Sequence, residues 1–450
     1  MGYQGHQVSK RYSMHTWVTA GFLSLLATLS LAADLPKAVT QADFPPTDPA
    51  LVLLGRDLFF DPILSGNRNI ACATCHHPSL ASADGMSLGL GEGAVDLGPN
   101  RRVDPSNAPQ ARIPRNAPAL FNLGAYEFGS LFHDGRVEAD PHAPFGMRMP
   151  EGAALERPVA SVLTAQAMMP PTSFDEMAGQ DQENPVALAA RDKRFGGEGG
   201  VWDLLCQRIE AIPAYADRFA RLLPPGRKLH FTDVARALAE FETYEFQSIN
   251  SPFDRYLHGD ADALNTQQIA GMQVFYGKGN CASCHSGPFQ TDHSFHAIGL
   301  PQLGPGKEAG GYADRGRIAV TGDPEDRYRF RTPSLRNVAI TGPYGHNGAY
   351  ADLEGMVRHH LAPIRSLAGY DRSQARLHAL PDAPDWQAME DFDEVLRIAE
   401  ATEIAPVSLS EDEIAALLAF LGALTDPQAR SGRLGAPSSV PSGLPMDRLN

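Results

Sequence analysis

The chain has 450 residues, 43% of them hydrophobic, and a formal net charge of −15 at pH 7. That length supports two or three domains with full cores. The acidic balance disfavours nucleic acid or an anionic membrane surface as partner, because either needs a concentrated basic face, and it steers in a cationic protein instead.

Residues 1–33 read as an export signal peptide: Lys10 and Arg11 give a positive start, Val18 to Leu31 an apolar core, and Ser30-Leu31-Ala32 or Ala32-Ala33 a small-residue cleavage site. The apolar run is too short to span a bilayer, and no later stretch reaches about 18 apolar residues. The expected location is therefore the periplasm. Next, Leu51, Leu54 and Leu58 lie at helical spacing and lead through Gly55 to Phe59 into Cys72-Ala73-Thr74-Cys75-His76. Two thiols at this spacing can add to the two vinyl groups of one haem, leaving the adjacent imidazole as proximal iron ligand.

The pattern recurs at Cys281-Ala282-Ser283-Cys284-His285, so four of the five cysteines serve two copies of one motif. A zinc site or a redox dithiol would not need a histidine directly after each second cysteine. Two covalently attached haem c groups are expected, with His76 and His285 as iron ligands. Cys206 is left over and reads as a small buried hydrophobe.

The flanks echo each other as well. Ile269, Met272 and Gly271 to Phe275 stand before the second motif as Leu51 to Phe59 stand before the first. Downstream, Asp233 to Phe241 and Asp412 to Phe420 share Asp, Ala-Leu and Phe at matching offsets on amphipathic helices, the later one opened by Ser410 and Glu413 in capping-box register. Each half reads as helix, haem loop, long irregular insertion and closing helix. The fold class is mainly α: two cytochrome c-like haem domains in tandem with long irregular loops. The first domain is placed at 34–258 and the second at 259–430, with the boundary in the punctuated stretch Ser251 to Leu264 and an extended tail at 431–450. The Gly/Pro-rich loops 85–118 and 287–343 make sense as covers for haem faces and walls of an entry channel.

Several spaced segments resemble the bacterial dihaem cytochrome c peroxidases and their MauG relatives. In the first half these are Arg115-Asn116-Ala117-Pro118, Phe132-His133-Asp134-Gly135-Arg136 and Gln166-Ala167-Met168-Met169-Pro170 followed by Glu176-Met177. In the second they are Arg331 to Asn337 and Thr341-Gly342-Pro343-Tyr344-Gly345-His346-Asn347-Gly348. The resemblance implies a peroxide-reacting first haem overhung by Gln166 and Glu176, and a six-coordinate electron-transfer second haem. Peroxide must lose a proton from its inner oxygen and gain one on its outer oxygen before the O–O bond breaks. Glu176 is the candidate acid and base, and Gln166 orients the peroxide or a water.

Two departures from the family pattern stand out. The family's peroxidases cap the first iron at rest with a histidine from the loop after the first motif. Here the matching run, Ser87-Leu88-Gly89-Leu90, has leucine, which implies an open or water-bound first haem, as in MauG. Where the family usually carries Trp before Asp-Gly-Arg, this chain has His133, leaving His133 or covalent haem and backbone contacts as the electron path. His77 reads as a surface or propionate contact.

For the distal ligand of the second haem, counting from Thr341 as the family does gives His360, with Met356 one turn earlier as competitor and His359 expected to face solvent. Bis-histidine ligation would lower the potential relative to His/Met. The resemblance also implies a calcium ion between the domains, held by Asn116, Thr341 and Pro343 through oxygen ligands.

The function expected is a periplasmic dihaem peroxidase reducing hydrogen peroxide, fed by a small redox protein, either a cytochrome c or a copper protein. A MauG-like enzyme oxidising residues of a partner protein is the alternative. A non-enzymatic electron-transfer cytochrome, in which His133, Met86 or Met168 ligates the first iron, is the third reading. The sequence fits a monomer or a homodimer.

Overall fold

The computed structural model describes residues 35–307 and 311–448; the expected signal peptide lies outside them. The first long helix, α1 (Pro49–Phe60), starts where Asp48 accepts the Ala50 N–H at 2.8 Å and Pro49 supplies a preset φ. It buries Leu51, Leu54, Leu58, Phe59 and Phe60, and leads to the short helix α2 (Cys72–Cys75). Further helices of the first half are α3 (Val162–Ala167), α4 (Pro185–Arg191), α5 (Val201–Glu210), α6 (Pro213–Leu222) and α7 (Phe231–Glu245). After them come α8 (Pro252–Leu257), α9 (Thr266–Tyr276), α10 (Ile318–Thr321), α11 (Leu353–Leu361), α12 (Pro363–Ala368), α13 (Gln387–Glu390), α14 (Phe392–Glu400) and α15 (Glu411–Gly422). Among the described residues, three small antiparallel sheets, two of two strands and one of three, brace the loops between them.

The duplication read from the sequence is a duplication of packing. α1 crosses α7 so closely that a Cβ on Gly55 would meet the Ala237 carbonyl oxygen at 1.8 Å and Phe241 Cβ at 2.8 Å. α9 crosses α15 identically, with Gly271 against Ala416 at 1.8 Å and Phe420 at 2.8 Å. One turn on, Phe59 meets Phe241 at 5.2 Å between ring centroids and Phe275 meets Phe420 at 5.3 Å. Glycine is required at both crossings because the backbones touch, and the aromatic pair fills the space beyond. The Ser410–Glu413 capping box is present at 3.2 and 2.7 Å.

Each crossing seeds its own core, the first also taking in Trp202, Phe219 and Phe231, the second Phe253, Leu417 and Leu421. Residues from Leu35 onward nonetheless form one compact unit. α8, on the N-terminal side of the expected 258/259 boundary, packs on the second core: Phe253 stands 5.1 Å from Phe420, and Asp254 pairs with the fully buried Arg336 at 2.6 Å. A second buried clamp is Arg115, forked onto Asp314 at 2.7 and 2.9 Å and paired with Asp134 at 2.6 Å.

The tail beyond 430 forms no helix or strand among its described residues and lies on the first core. The Glu245 carboxylate accepts from the N–H groups of Arg433, Leu434 and Gly435. Asp61 accepts from Ser442 and Tyr215, Val440 is buried, and Asp447 accepts from Thr74 inside the first Cys-x-x-Cys-His segment.

Candidate functional site

Both Cys-x-x-Cys-His segments open onto one cavity of about 750 Å³. Packed interiors tolerate few voids larger than a water molecule, so a space of this size with four thiols and six imidazoles on its walls is a binding site rather than a packing defect. His76 donates Nδ1–H to the Ser82 carbonyl at 3.0 Å, His285 to Gln290 at 3.1 Å and His360 to Met356 at 2.9 Å. Each bond fixes the tautomer with a lone pair on Nε2, the arrangement of a metal-ligating histidine held by a carbonyl partner. Burial lowers the pKa of all three, that of His285 to about 4, so the rings are neutral and able to ligate.

The two ends of the cavity differ. At the second motif, the His285 and His360 rings face each other with centroids 6.4 Å apart. That is the span of two imidazoles reaching one metal through bonds of about 2 Å. The donor set therefore fits a haem iron closed on both sides. Met356 also lines the wall, while its carbonyl holds His360.

At the first motif, Gln166 on α3 and Glu176 line the wall near His76 and Cys75, and the Glu176 charge acts on both. Glu176 rides on a single wide turn, Phe174–Ala178, closed by the Ala178 N–H onto the Ser173 carbonyl, a backbone form frequent at functional sites. Glycines pin this turn on two sides: Gly66 donates to the Met177 carbonyl at 2.7 Å, and a Cβ on Gly91 would sit 1.9 Å from the Asp175 carbonyl oxygen. Leu88 is withdrawn into a core with Leu300, Leu303 and Tyr350, away from the cavity. Met86 and Met168 are buried and absent from the wall.

Between the two ends lies a layer of stacked and charged groups. His346 stacks on Phe330 at 3.6 Å and 8°, with the Arg115 guanidinium 5.6 Å from the same ring. His133 lines the wall with Nε2 on the Asn116 carbonyl at 3.1 Å; burial and Arg115 push it down to about 4. Asn116, Thr341 and Pro343 share this wall. The Asn116 side-chain N–H donates to the Met86 carbonyl at 2.7 Å, leaving its carbonyl oxygen as the end a hard cation would use. Among the described residues, the one convergent cluster of metal-type side chains is Cys284, Asp292 and His296, of which Cys284 is a thiol of the second attachment segment.

Two expectations are corrected. His359 is fully buried, with Nδ1 at the Tyr350 hydroxyl and Nε2 on the Ile298 carbonyl, because the sequence-distant loop at Ile298 and nearby Tyr350 cover that face of α11. His77 is a buried cap that accepts the Ser79 N–H and sits edge-on to Phe60. Cys206 is buried as expected. Among the wall residues that carried no signal in the sequence are Lys307 and Glu242. Lys307 comes from the second half, its ammonium lowered by burial against the raising effect of Glu176. Glu242 comes from α7.

The family described as di-haem cytochrome c peroxidase matches residues 49–262. Methylamine utilization protein MauG of Methylorubrum extorquens is 33% identical over 337 residues, 75% of this chain and 75% of that protein. Cytochrome c551 peroxidase of Pseudomonas aeruginosa is 30% identical over 329 residues, 73% of this chain and 76% of that protein. Among solved structures, a MauG-like protein associated with microbial copper homeostasis aligns with a TM-score of 0.57 at 26% identity, over 88% of this chain and 94% of that one.

Proposed function

Because the chain belongs to the di-haem cytochrome c peroxidase family, whose members include MauG-like enzymes, we propose that it is a periplasmic peroxidase that reduces hydrogen peroxide to water at its first haem. When bound, the haem on Cys72, Cys75 and His76 supplies a peroxide-binding iron, and the one on Cys281, Cys284, His285 and His360 supplies a relay for electrons. Glu176 takes the proton from the inner peroxide oxygen and returns it to the outer one, and Gln166 orients the peroxide without titrating. His133, Phe330 and His346 fill the space between the ends and exclude water there. A small redox protein, a cytochrome c or a copper protein, is the electron donor. A calcium ion on Asn116 and the carbonyls of Thr341 and Pro343 belongs to the same reading.

The observation that supports this reading is the asymmetry of the cavity: His285 faces His360 across one end, whereas Gln166 and Glu176 line the wall near His76 at the other. The carrier reading loses support because Met86 and Met168 stand outside the wall and His133 is committed to Asn116. The test is peroxide turnover with a reduced cytochrome c as donor. Glu176→Gln keeps both haems attached and loses turnover; unchanged turnover removes Glu176 from the mechanism.

A second reading, oxidation of residues on a partner protein, is favoured by the leucine in place of the capping histidine. Slow turnover with a long-lived oxidised state would select it.

A further inference from the structure

The internal repeat gives residues 232–243 of α7 their counterparts on α15, residues 411–422. Since Gly55, Ala237 and Phe241 match Gly271, Ala416 and Phe420 contact for contact, the residue after Phe241 corresponds to the residue after Phe420. In the second half that residue is Leu421, buried against the cavity wall, an ordinary apolar contact beside a haem. In the first half it is Glu242. Its side chain is buried in the wall beside Leu238 and Cys72, and its Oε2 has no hydrogen-bond partner. An unpartnered buried carboxyl is costly, and packing does not require one where the repeat uses leucine.

Among the described residues, no charged group relieves the cost. Burial alone pushes the Glu242 carboxyl up to about 8. α3 carries no titratable side chain. On α1, Arg56 and Asp57 pair with each other, and Asp57 also with Arg218. On α5, Asp203 pairs with Lys228, Arg208 caps the carbonyls of Ser65 and Gly66, and Glu210 accepts from Leu229. On α7 itself, Asp233 pairs with Arg227, Glu240 with Arg236, and Glu245 binds the tail. What faces Glu242 is Cys72, whose thiol feels the Glu242 charge and is consumed by haem attachment.

On the dihaem reading above, we infer that Glu242 is a proton-binding site coupled to the oxidation state of the first haem: one electron entering that iron brings one proton from solvent onto the Glu242 carboxylate, and oxidation releases it. The reason is electrostatic. In a low-dielectric wall, adding negative charge at the iron disfavours a nearby carboxylate and favours its neutral acid. The coupling keeps the net charge of the buried region constant while electrons pass; at the second haem the equivalent wall position is Leu421, which can take no proton.

The experiment is a spectroelectrochemical titration of both haems in the holoprotein across pH 6 to 10, for the natural chain, Glu242→Gln and Glu242→Leu. The leucine variant copies the counterpart in the repeat and so keeps the packing. The natural first-haem potential should fall with pH through a window around pH 8, with a slope approaching 59 mV for each tenfold change in proton activity. Both variants should lose that slope, leaving the second-haem profile unchanged. Asp84 and Lys307 also face the cavity and are retained in the variants, so the difference between natural and variant chains is the reading. Redox difference infrared spectra should show a carboxylic-acid carbonyl band gained on reduction and missing in Glu242→Gln. A slope retained in both variants, or a natural first-haem potential flat through the window, would overturn the inference. The readout needs no peroxide turnover, so its failure is distinct from failure of the peroxidase reading.

Discussion

Replacing Arg115 by methionine probes the buried clamp on which the region between the haem ends depends. Arg115 holds Asp314 and Asp134, both nearly inaccessible, and its guanidinium packs near Phe330, the ring on which His346 stacks. Pairing with Arg115 overcomes the burial that would raise Asp314 and holds its carboxyl at about 2, against an ordinary 3.8. At 1.36 kcal/mol per pH unit, that one carboxylate accounts for about 2 kcal/mol.

Removing the cation also strands Asp134, which retains only Arg136 at 3.1 Å, so the total should reach the roughly 3–5 kcal/mol expected when one partner of a buried pair is deleted. The assay is urea unfolding of the holoprotein followed by circular dichroism. Because the folded value is depressed, the stabilisation is complete above pH about 4 and is lost as pH falls through about 2. The gap between natural chain and Arg115→Met should therefore be widest near neutrality and close over that acidic window. Arg115→Lys, which keeps the charge without the fork, should recover part of the loss. A gap below about 1 kcal/mol, or one that does not change between pH 4 and 2, would refute the reasoning.

His360→Ala should convert the second haem to a high-spin spectrum while leaving the first unchanged; an unaltered spectrum would move the ligand role to Met356. Gly91→Ala should push a methyl into the Asp175 carbonyl and displace the Glu176 turn, so peroxide turnover should fall at least tenfold with both haems still attached. Truncation after Arg430 should strip the Glu245 and Asp61 carboxylates of their tail partners and uncover the patch that Val440 closes. The expected cost is about 3 kcal/mol, read as faster proteolysis of the first half.

The sequence carried the parts of the fold written in local periodicity. The spacing of Leu51, Leu54 and Leu58 and the matching segments on α7 and α15 became the two helix crossings, and the haem-attachment segments became the two ends of the cavity. What stayed illegible depends on partners far away in the chain. His359 looked solvent-facing because it is one residue round the helix from His360, yet Ile298 and Tyr350 cover it. Lys307 comes from the second half yet lies close to Glu176 of the first, and no local pattern marks such a crossing. Glu242 carries no signal in the sequence. Only superposing the repeat puts it where the second half buries leucine.

The most direct test of the central claim is the low-temperature electron paramagnetic resonance spectrum of the ferric holoprotein. The account predicts one high-spin iron, from a first haem without a protein ligand opposite His76, and one low-spin iron between His285 and His360. Two low-spin signals would contradict it.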